Sequence, residues 1–270
     1  MTDGEIATAL LDAHDRGVPI APPSAGDSGF DVQRGYAVAA EVLRRRAARG
    51  ELPVGRKIGF TNRNIWAQFG VDGPNWAHMY SSTVHTARDN VFDFSLAGTV
   101  APLIEPEIAF KLARPLTDAG LEPARMLESV EWVARSYEIV DCPFPGWTFT
   151  AADAAAGSAF HHALILGEPR PLAGRDLTAL ARALGECKLT LLRDGATADQ
   201  GVGANALGHP CAALAFLVSL LAKQPQFAPL AAGEIITTGT LTRALPIKRG
   251  ETWRSETSGI DLPPLSVTFN

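Results

Sequence analysis

Two glutamates separated by one residue form the part of the sequence best suited to chemistry. Glu105 and Glu107 lie in the run Leu103–Phe110, which has the composition of a β-strand. Residues two apart in a strand project from the same face of the sheet. A pair of oxygen ligands suits Mg²⁺ or Mn²⁺ rather than zinc. Taken alone, the pair also fits a simpler interpretation, in which two solvated glutamates lie on an exposed face.

The surroundings of the pair favour the metal-site interpretation. Apolar residues flank it closely on both sides, and Glu138 lies in a second β-like run, Tyr137–Asp141. Two neighbouring strands could therefore bring a third carboxylate to the first pair. Pro106 cannot donate a hydrogen bond to a ladder, so we expect its strand at an edge of the sheet or at a bulge.

Lys57 and His209 are further candidates for the site. Lys57 lies in the β-like run Arg56–Thr61, where a buried lysine could act as an acid or base or bind a carboxylate. The alternative is a surface lysine whose stem covers apolar neighbours. His209 precedes Pro210 at the predicted start of an apolar helix, and helix N-termini bind anions. A histidine that only caps the helix fits the sequence equally well.

Other motifs do not support a function. Gly201–Ala206 fits a dinucleotide fingerprint formally, but no strand leads into it and no acidic residue follows at the required spacing. Ser158 does not lie in the Gly-x-Ser-x-Gly pattern of a hydrolase elbow. His161 and His162 have no acidic partner at the spacing of a zinc protease, so zinc is not expected. The three cysteines are widely spaced and indicate neither a disulfide framework nor a zinc clip.

The elements that must position these residues change in character near residue 53. Residues 1–52 are predicted to be helical, with one helix capped by Asp3 and ended by Gly17, and a second capped by Asp31 and ended by Gly50. Residues 53–270 are predicted to form a catalytic domain built on a mixed sheet. Its predicted helices are Thr150–Phe160 and Pro210–Lys223. Its predicted strands are Arg56–Thr61, Thr99–Leu112, Trp132–Val140, Leu189–Arg193, Glu234–Thr240 and Ser266–Phe269. Strands and helices do not alternate regularly, which favours an α+β fold.

Composition excludes several classes of protein. The chain has 270 residues, 46% of them hydrophobic and 20% charged, which is typical of a globular protein. Lys and Arg total 24 against 29 Asp and Glu, so the net charge is −5 and nucleic acid is not an expected partner. The richest apolar run, Cys211–Ala222, is interrupted by Ser219 and is too short to cross a bilayer, and the acidic N-terminus does not have the pattern of a signal peptide. We therefore expect a cytoplasmic protein.

In these motifs, the sequence resembles the 2-keto-4-pentenoate hydratase family of the fumarylacetoacetate hydrolase superfamily. That family also contains 2-oxohept-3-ene-1,7-dioate hydratases and 4-oxalocrotonate decarboxylases. The resemblance covers nearly the whole chain, and its most specific part is the Glu-x-Glu motif followed by Glu138-Ile-Val. The segments that carry it are Gly55–Thr61, Gly70–Pro74, Ile104–Phe110, Glu138–Asp141, Gly208–Pro210, Ala232–Gly239 and Pro246–Gly250.

The resemblance implies a fold, a cofactor and partners. The implied fold is a mixed β-sheet roll or barrel of the fumarylacetoacetate hydrolase C-terminal type, preceded by a helical segment. Glu105, Glu107 and Glu138 are implied to be the ligands of Mg²⁺ or Mn²⁺, and Lys57 is implied to lie in the active site. The implied partners are a small 2-keto acid substrate, further copies of the chain in a homo-oligomer, and a paralogous enzyme of the same pathway.

The implied activity is metal-dependent addition of water to a 2-hydroxy-dienoate or 2-keto-enoate through a stabilised enolate, as in the catabolism of aromatic meta-cleavage products. Asn75 departs from the family pattern, which often has an acidic residue just after this turn. An amide cannot act as a general base. Asn75 therefore favours the alternative of a decarboxylase or a C–C bond hydrolase acting on a related 2-keto acid. A further alternative is a catalytically silent member that binds 2-keto acids or partners an active paralogue.

Overall fold

The structure is a computed structural model that describes residues 1–63, 66 and 71–270. Gly70, which belongs to one of the motifs above, lies outside the described residues. The α-helices of the described part are α1 Asp3–Arg16, α2 Val32–Ala48, α3 Pro123–Leu127, α4 Ala151–Ala156, α5 Leu177–Glu186 and α6 Pro210–Ala222. The strands are β1 Pro53–Gly59, β2 Asn75–Tyr80, β3 Val84–Thr86, β4 Val91–Phe94, β5 Pro102–Leu112, β6 Val130–Asp141, β7 His161–Leu166, β8 Arg170–Pro171, β9 Lys188–Arg193, β10 Ala196–Val202, β11 Ile235–Thr237, β12 Leu245–Pro246, β13 Thr252–Ser258 and β14 Leu265–Phe269.

The larger sheet curls back on itself. Its strands follow the order β2-β1-β11-β5-β6-β7-β3, with β12 beside β5 and β8 beside β6. The two ends of this order, β2 and β3, are joined directly by the turn Ser81–Thr83, and the Leu164 amide of β7 donates to the Thr83 carbonyl. Since one short turn connects both edges, the sheet must form a nearly closed roll. This agrees with the mixed α+β roll expected from the sequence.

Strand β5 lies inside this sheet, so the predicted edge position is wrong. It pairs with β6 along its length, and on its other side with β11 and β12. Between β11 and β12 that second ladder is interrupted, and the carbonyl of Pro106 accepts from the Leu241 amide there. The proline nitrogen faces this gap, where no ladder partner requires a donor. The physical reason behind the prediction holds, although the strand is central.

Side chains on the two faces of β6 point to different parts of the molecule. Arg135 and Tyr137 point toward the smaller sheet, whose order is β10-β9-β13-β14-β4. The Arg135 guanidinium donates to the carbonyls of Leu262 and Pro263, and the Tyr137 hydroxyl donates to that of Leu265. Because side chains alternate along a strand, Glu138 points the opposite way, into the roll.

Helices α1 and α2 pack with α4 over a second group of buried apolar residues, which includes Val140 and Phe144. Helix α1 is capped by Thr2 rather than by the predicted Asp3, in a reciprocal capping box with Glu5, and Gly17 ends it as predicted. Asp31 caps α2 as predicted. Sheet structure begins at Pro53, but the division into segments 1–52 and 53–270 as separate domains stays a prediction.

Helix α6 belongs to the main apolar core. By length and composition, residues 203–222 form one stretch that is apolar enough to cross a membrane, and 44% of its most apolar window is buried. Core helices of globular proteins meet the same criterion. The α-helical part covers only Pro210–Ala222, and residues such as Leu214 and Leu217 are fully buried among other core side chains.

Candidate active site

Three glutamates meet on the inner face of the larger sheet. Glu105 and Glu107 lie on β5, and Glu138 lies on β6 directly opposite Glu105. Their carboxylate oxygens lie within 4.8 Å of one another. Glu107 and Glu138 are fully buried, whereas Glu105 is half-buried. Like charges so close together in a buried place need a compensating cation.

Lys57 supplies part of that compensation. It lies on β1, where it pairs with Thr237 of β11, and Thr237 in turn pairs with Ala109 of β5. Its ammonium lies 3.2 Å from Glu138 Oε2 and donates to the Ala159 carbonyl at 2.9 Å. Burial alone would lower the pKa of Lys57, but the three carboxylates outweigh it and raise the pKa above its usual value. The side chain is therefore a buried ammonium.

His161 holds the other oxygen of Glu138, and sequence reasoning missed it. Its Nδ1 lies 2.9 Å from Glu138 Oε1, and its Nε2 lies 2.9 Å from the Thr83 hydroxyl. Burial lowers the pKa of His161, which leaves a neutral ring. The network assigns the proton to Nδ1, which donates to the carboxylate, and Nε2 accepts from Thr83. Burial would raise the pKa of Glu138, but Lys57 and His161 together lower it.

The remaining carboxylates fit a divalent cation. Burial raises the pKa of Glu105 to about 7, and burial with the charges of Glu138 and Glu105 raises that of Glu107 well above its usual range. Glu107 Oε2 accepts from the Gly239 amide at 2.8 Å, but Oε1 has no hydrogen-bond partner among the described residues. An all-oxygen donor set with an unpartnered buried oxygen suits Mg²⁺ or Mn²⁺.

Gly239 can hold Glu107 only because it lacks a side chain. Its φ is 85°, and a Cβ at this position would lie 1.9 Å from the Thr61 hydroxyl. The glycine follows β11, so the segment that leaves this strand passes directly beside the carboxylate. This close approach explains why the Thr-Thr-Gly sequence ends β11.

A cavity of about 250 Å³ opens beside the carboxylates. One wall is apolar and contains Leu103, Val140, Trp147 and Phe160. The polar lining residues of the described chain are Lys57, Thr61, Asn62, Glu105, Thr240 and Arg243. The volume suits a small molecule, and the polar groups at one wall suit an oxygen-rich end of it.

The predicted helix Thr150–Phe160 ends early, at Ala156. Ser158, Ala159 and Phe160 then adopt positive φ angles of 54°, 48° and 62°. This left-handed turn leads directly into β7, and within it the Ala159 carbonyl accepts from Lys57. Alanine-rich composition predicted helix here, but the turn is what positions both the carbonyl and His161.

Asn75 lies close to Lys57. It begins β2 opposite Gly59, and a Cβ at Gly59 would lie 2.7 Å from Asn75 Oδ1 and 3.3 Å from the Lys57 ammonium. The amide is buried, and neither of its polar atoms has a hydrogen-bond partner among the described residues. It is thus a second polar group at this wall, beside the cavity residue Gly59.

The structure does not bring His209 to this group, and its role at the site stays a prediction. It is the N-cap of α6: its Nδ1 accepts from the Cys211 amide, and its Nε2 donates to the Ala181 carbonyl. Both ring nitrogens are therefore used by the backbone, and His209 is absent from the described lining of the cavity. These contacts agree with the alternative in which His209 caps the helix.

Comparison with known proteins identifies the family. No family model matches the chain. The chain is 30% identical over 255 residues to a 2-keto-4-pentenoate hydratase of Burkholderia vietnamiensis, which covers 94% of this chain and 93% of the relative. It is 31% identical over 247 residues to the 4-oxalocrotonate decarboxylase of Pseudomonas sp. strain CF600, covering 91% and 88%. The chain belongs to the 2-keto-4-pentenoate hydratase family.

Solved structures extend this result to the fold. The hydratase-family chain superposes on the 4-oxalocrotonate decarboxylase of Pseudomonas putida G7 with a TM-score of 0.88 and 25% identity, over 99% of this chain and 97% of that one. That protein was solved with magnesium and adipate. A fumarylpyruvate hydrolase of Pseudomonas aeruginosa, solved with Mn²⁺ and pyruvate, matches with a TM-score of 0.58 and 16% identity, over 79% of this chain and 88% of that one. The second match shows the shared fold alone.

Proposed function

We propose that the protein is a metal-dependent lyase that adds water to a 2-hydroxy-dienoate or a 2-keto-enoate, as in the catabolism of aromatic meta-cleavage products. The observation that carries the proposal is the convergence of three carboxylates and one ammonium beside a small cavity, which Glu105 and Lys57 line. Glu105, Glu107 and Glu138 would hold Mg²⁺ or Mn²⁺. When bound, such an ion supplies Lewis-acid stabilisation of the negative charge that develops on the substrate's 2-oxygen.

Lys57 is the residue placed to move a proton. An ammonium has three N–H donors. The Ala159 carbonyl accepts from this ammonium and Glu138 forms an ion pair with it, while Lys57 also lines the cavity. On a 2-keto-enoate, the ammonium can transfer one proton to C3 while the oxygen of water adds at C4, and the proton that the water loses restores the ammonium. The ammonium can instead bind the substrate's carboxylate. Glu138 is itself fixed by His161, so Lys57 is held in one orientation.

Asn75 contributes orientation rather than proton transfer. Its amide, which has no hydrogen-bond partner in the described part of the chain, can bind a water molecule or a substrate oxygen beside Lys57. An amide does not accept a proton at neutral pH, so the group that activates water is not Asn75. The apolar wall, with Leu103, Val140 and Phe160, surrounds the carbon chain of the substrate and limits the access of bulk water.

Asn75 also supports a second candidate reaction. Loss of CO₂ from a related 2-keto acid needs the same charge stabilisation but no activated water, so it needs no base at position 75. The relatives include a decarboxylase of this kind. A C–C bond hydrolase shares the metal chemistry but again requires an activated water. Asn75 cannot activate it, so the amide supports a decarboxylase better than a hydrolase. A silent binding protein would have little reason to keep three like charges together.

One panel of substrates separates these functions. Purified protein is given 2-hydroxy-dienoates and 2-keto-enoates with Mg²⁺, Mn²⁺ or EDTA, and loss of diene absorbance, ¹⁸O incorporation from water and CO₂ release are followed together. We expect metal-dependent incorporation of ¹⁸O. Metal-dependent CO₂ release without hydration would identify the decarboxylase, and the absence of all reactions would contradict the lyase.

A matched pair of variants assigns the activity to the site. Glu107→Gln should lower turnover by more than about 100-fold, because even partners of metal ligands contribute about 10- to 100-fold. Glu131→Gln is the control, since Glu131 lies on β6 but is exposed and paired with Lys111. Equal rates in the two variants would place the reaction elsewhere.

Two further properties stay predictions. We propose that the enzyme forms a homo-oligomer, that it associates with a paralogous pathway enzyme, and that it acts in the cytoplasm. Light scattering coupled to gel filtration measures the mass of the particle in solution, and a mass of 28.6 kDa would contradict the oligomer. Fractionation of the native host tests the location.

A further inference from the structure

Arg243 is a cation of the cavity that the proposed reaction does not use. Among the described lining residues, the cations are Lys57 and Arg243. The charge of Lys57 is already engaged by buried Glu138. Three carboxylates, one ammonium and a divalent cation would together be neutral. Arg243 is therefore a cation that the charge balance of the glutamate cluster does not require.

The position of Arg243 is fixed by the gap in the sheet. The chain leaves β5 after Leu241, whose amide donates to the Pro106 carbonyl, and returns at Leu245, which pairs with Ile104. Residues 242–244 form an arch between these two contacts. Glu105 lies on β5 between Pro106 and Ile104, and both Glu105 and Arg243 line the cavity. The arch thus brings Arg243 to the same cavity as Glu105.

Asp199 of β10 anchors the arch. Its Oδ2 accepts from the Arg243 amide at 3.1 Å and from Arg243 Nε at 3.0 Å. These bonds use the stem of the guanidinium and leave its two terminal nitrogens without a hydrogen bond among the described residues. The Arg243 side chain is 69% exposed, so this end is open to a ligand. Such a fork matches the geometry of a carboxylate.

We propose that Arg243 binds a second carboxylate at the far end of the substrate, so that the preferred substrates are dicarboxylic 2-keto acids. The inference rests on the proposed function, which places the keto-acid end of the substrate at the glutamates. The apolar residues that line the same cavity, including Trp147 and Phe160, offer no charge to a carboxylate. A substrate with an apolar tail would leave the Arg243 fork unused.

The test compares two ligands that differ only in the distal group. 2-Oxoadipate and 2-oxohexanoate have the same chain length, and neither carries the double bond that hydration requires. Their dissociation constants are measured by calorimetry on the Mg²⁺-loaded protein. We expect wild-type protein to bind 2-oxoadipate about tenfold more tightly, as one charge-assisted pair at an exposed position allows.

The Arg243→Gln variant should lose this preference by weakening 2-oxoadipate alone, with 2-oxohexanoate unchanged. Arg254→Gln is the control, because Arg254 is also exposed and paired with an acidic residue, Glu256, but lies on β13 away from the cavity. Mn²⁺ affinity and the melting temperature of Arg243→Gln should match wild type, which shows that the fold and the metal site are intact.

The outcomes separate this inference from the proposed function. If the protein turns over a dienoate but Arg243→Gln keeps the wild-type ratio of the two constants, the carboxylate site is wrong and the lyase stands. If the ratio falls to one in Arg243→Gln while no substrate is turned over, the carboxylate site stands and the lyase is wrong. A wild-type ratio near one, or binding of neither ligand, overturns the inference.

Discussion

At the scale of single residues, the site is a chain of charges in which each member fixes the next. Thr83 holds His161, His161 holds one oxygen of Glu138, and Lys57 holds the other. The side chains of Glu138, His161 and Lys57 are at most 3% exposed, so these interactions are little screened by water. Replacement of one member is therefore expected to act through its neighbours as well as directly.

Lys57→Met should lower kcat by about 10²- to 10⁴-fold, because it removes the group placed to transfer a proton. Lys111→Met is the matched control, since Lys111 lies on β5 but pairs with exposed Glu131. Steady-state kinetics with saturating Mg²⁺ measure the effect, and the melting temperature is followed in parallel. Retention of wild-type turnover in Lys57→Met would show that the ammonium has no part in the reaction.

His161→Gln should weaken Mn²⁺ binding by about 10- to 100-fold, because the partner that orients Glu138 is lost. The neighbouring His162→Gln is the control, as alternation along β7 directs that side chain to the other face. Titration of Mn²⁺ followed by electron paramagnetic resonance gives both affinities. Equal affinities would mean that Glu138 does not need His161 to be positioned.

Asn75→Asp should raise the rate of hydration of a 2-hydroxy-dienoate, because a carboxylate beside Lys57 can act as the missing base. The ratio of hydration to CO₂ release is measured on one substrate for both proteins. A variant that loses the native reaction would indicate that the amide accommodates a substrate carboxylate, which an added negative charge repels. Unchanged rates on every substrate would remove position 75 from the mechanism.

At the scale of secondary structure, the strands that carry the three glutamates were predictable and their neighbours were not. β5 and β6 are long apolar runs whose interior glutamates stand out. β7 was missed because the alanine-rich residues before it predicted a helix that continued to Phe160. Because β7 was missed, His161 was missed as well. Its partner Glu138 is 23 residues away in the sequence and becomes its neighbour through the pairing of β6 with β7. Nothing local in a sequence reports such a pairing.

The left-handed turn at Ser158–Phe160 is costly for residues with side chains. An alanine in this conformation costs about 1–2 kcal/mol, whereas glycine gains about 0.4–1 kcal/mol of extra freedom in the unfolded chain. Ala159→Gly should therefore stabilise the protein by about 0.5 kcal/mol in urea unfolding. Ala154→Gly, inside α4, should destabilise it by about 1 kcal/mol. If both variants lose stability equally, the turn is not strained.

At the scale of the whole molecule, the cluster of carboxylates joins strands that are distant in the chain. Glu107 and Glu138 belong to β5 and β6, while Lys57 reaches them from β1 and Gly239 from the end of β11. Any ligand that binds these groups only in the folded state stabilises the fold by mass action. The isolated carboxylates instead destabilise it, because their charges are buried together.

Mg²⁺ at about 100 times its dissociation constant should stabilise the protein by about 2.7 kcal/mol and raise the melting temperature by about 5 °C or more. Differential scanning fluorimetry with increasing Mg²⁺ or Mn²⁺ measures this shift. Glu107→Gln should abolish it, and Glu131→Gln should retain it. A shift that survives in Glu107→Gln would place the cation elsewhere on the protein.

The short connection between α4 and β7 has a consequence for how the chain can vary in length. Its Ala159 carbonyl binds Lys57, and His161, two residues later, binds Glu138. One residue gained or lost there would turn His161 to the opposite face of β7 and displace the carbonyl at the same time. Surface loops commonly accept insertions. This connection, in contrast, requires a fixed number of residues. Variants with one residue inserted or deleted should lose activity, and a second change that restores the native number should restore it.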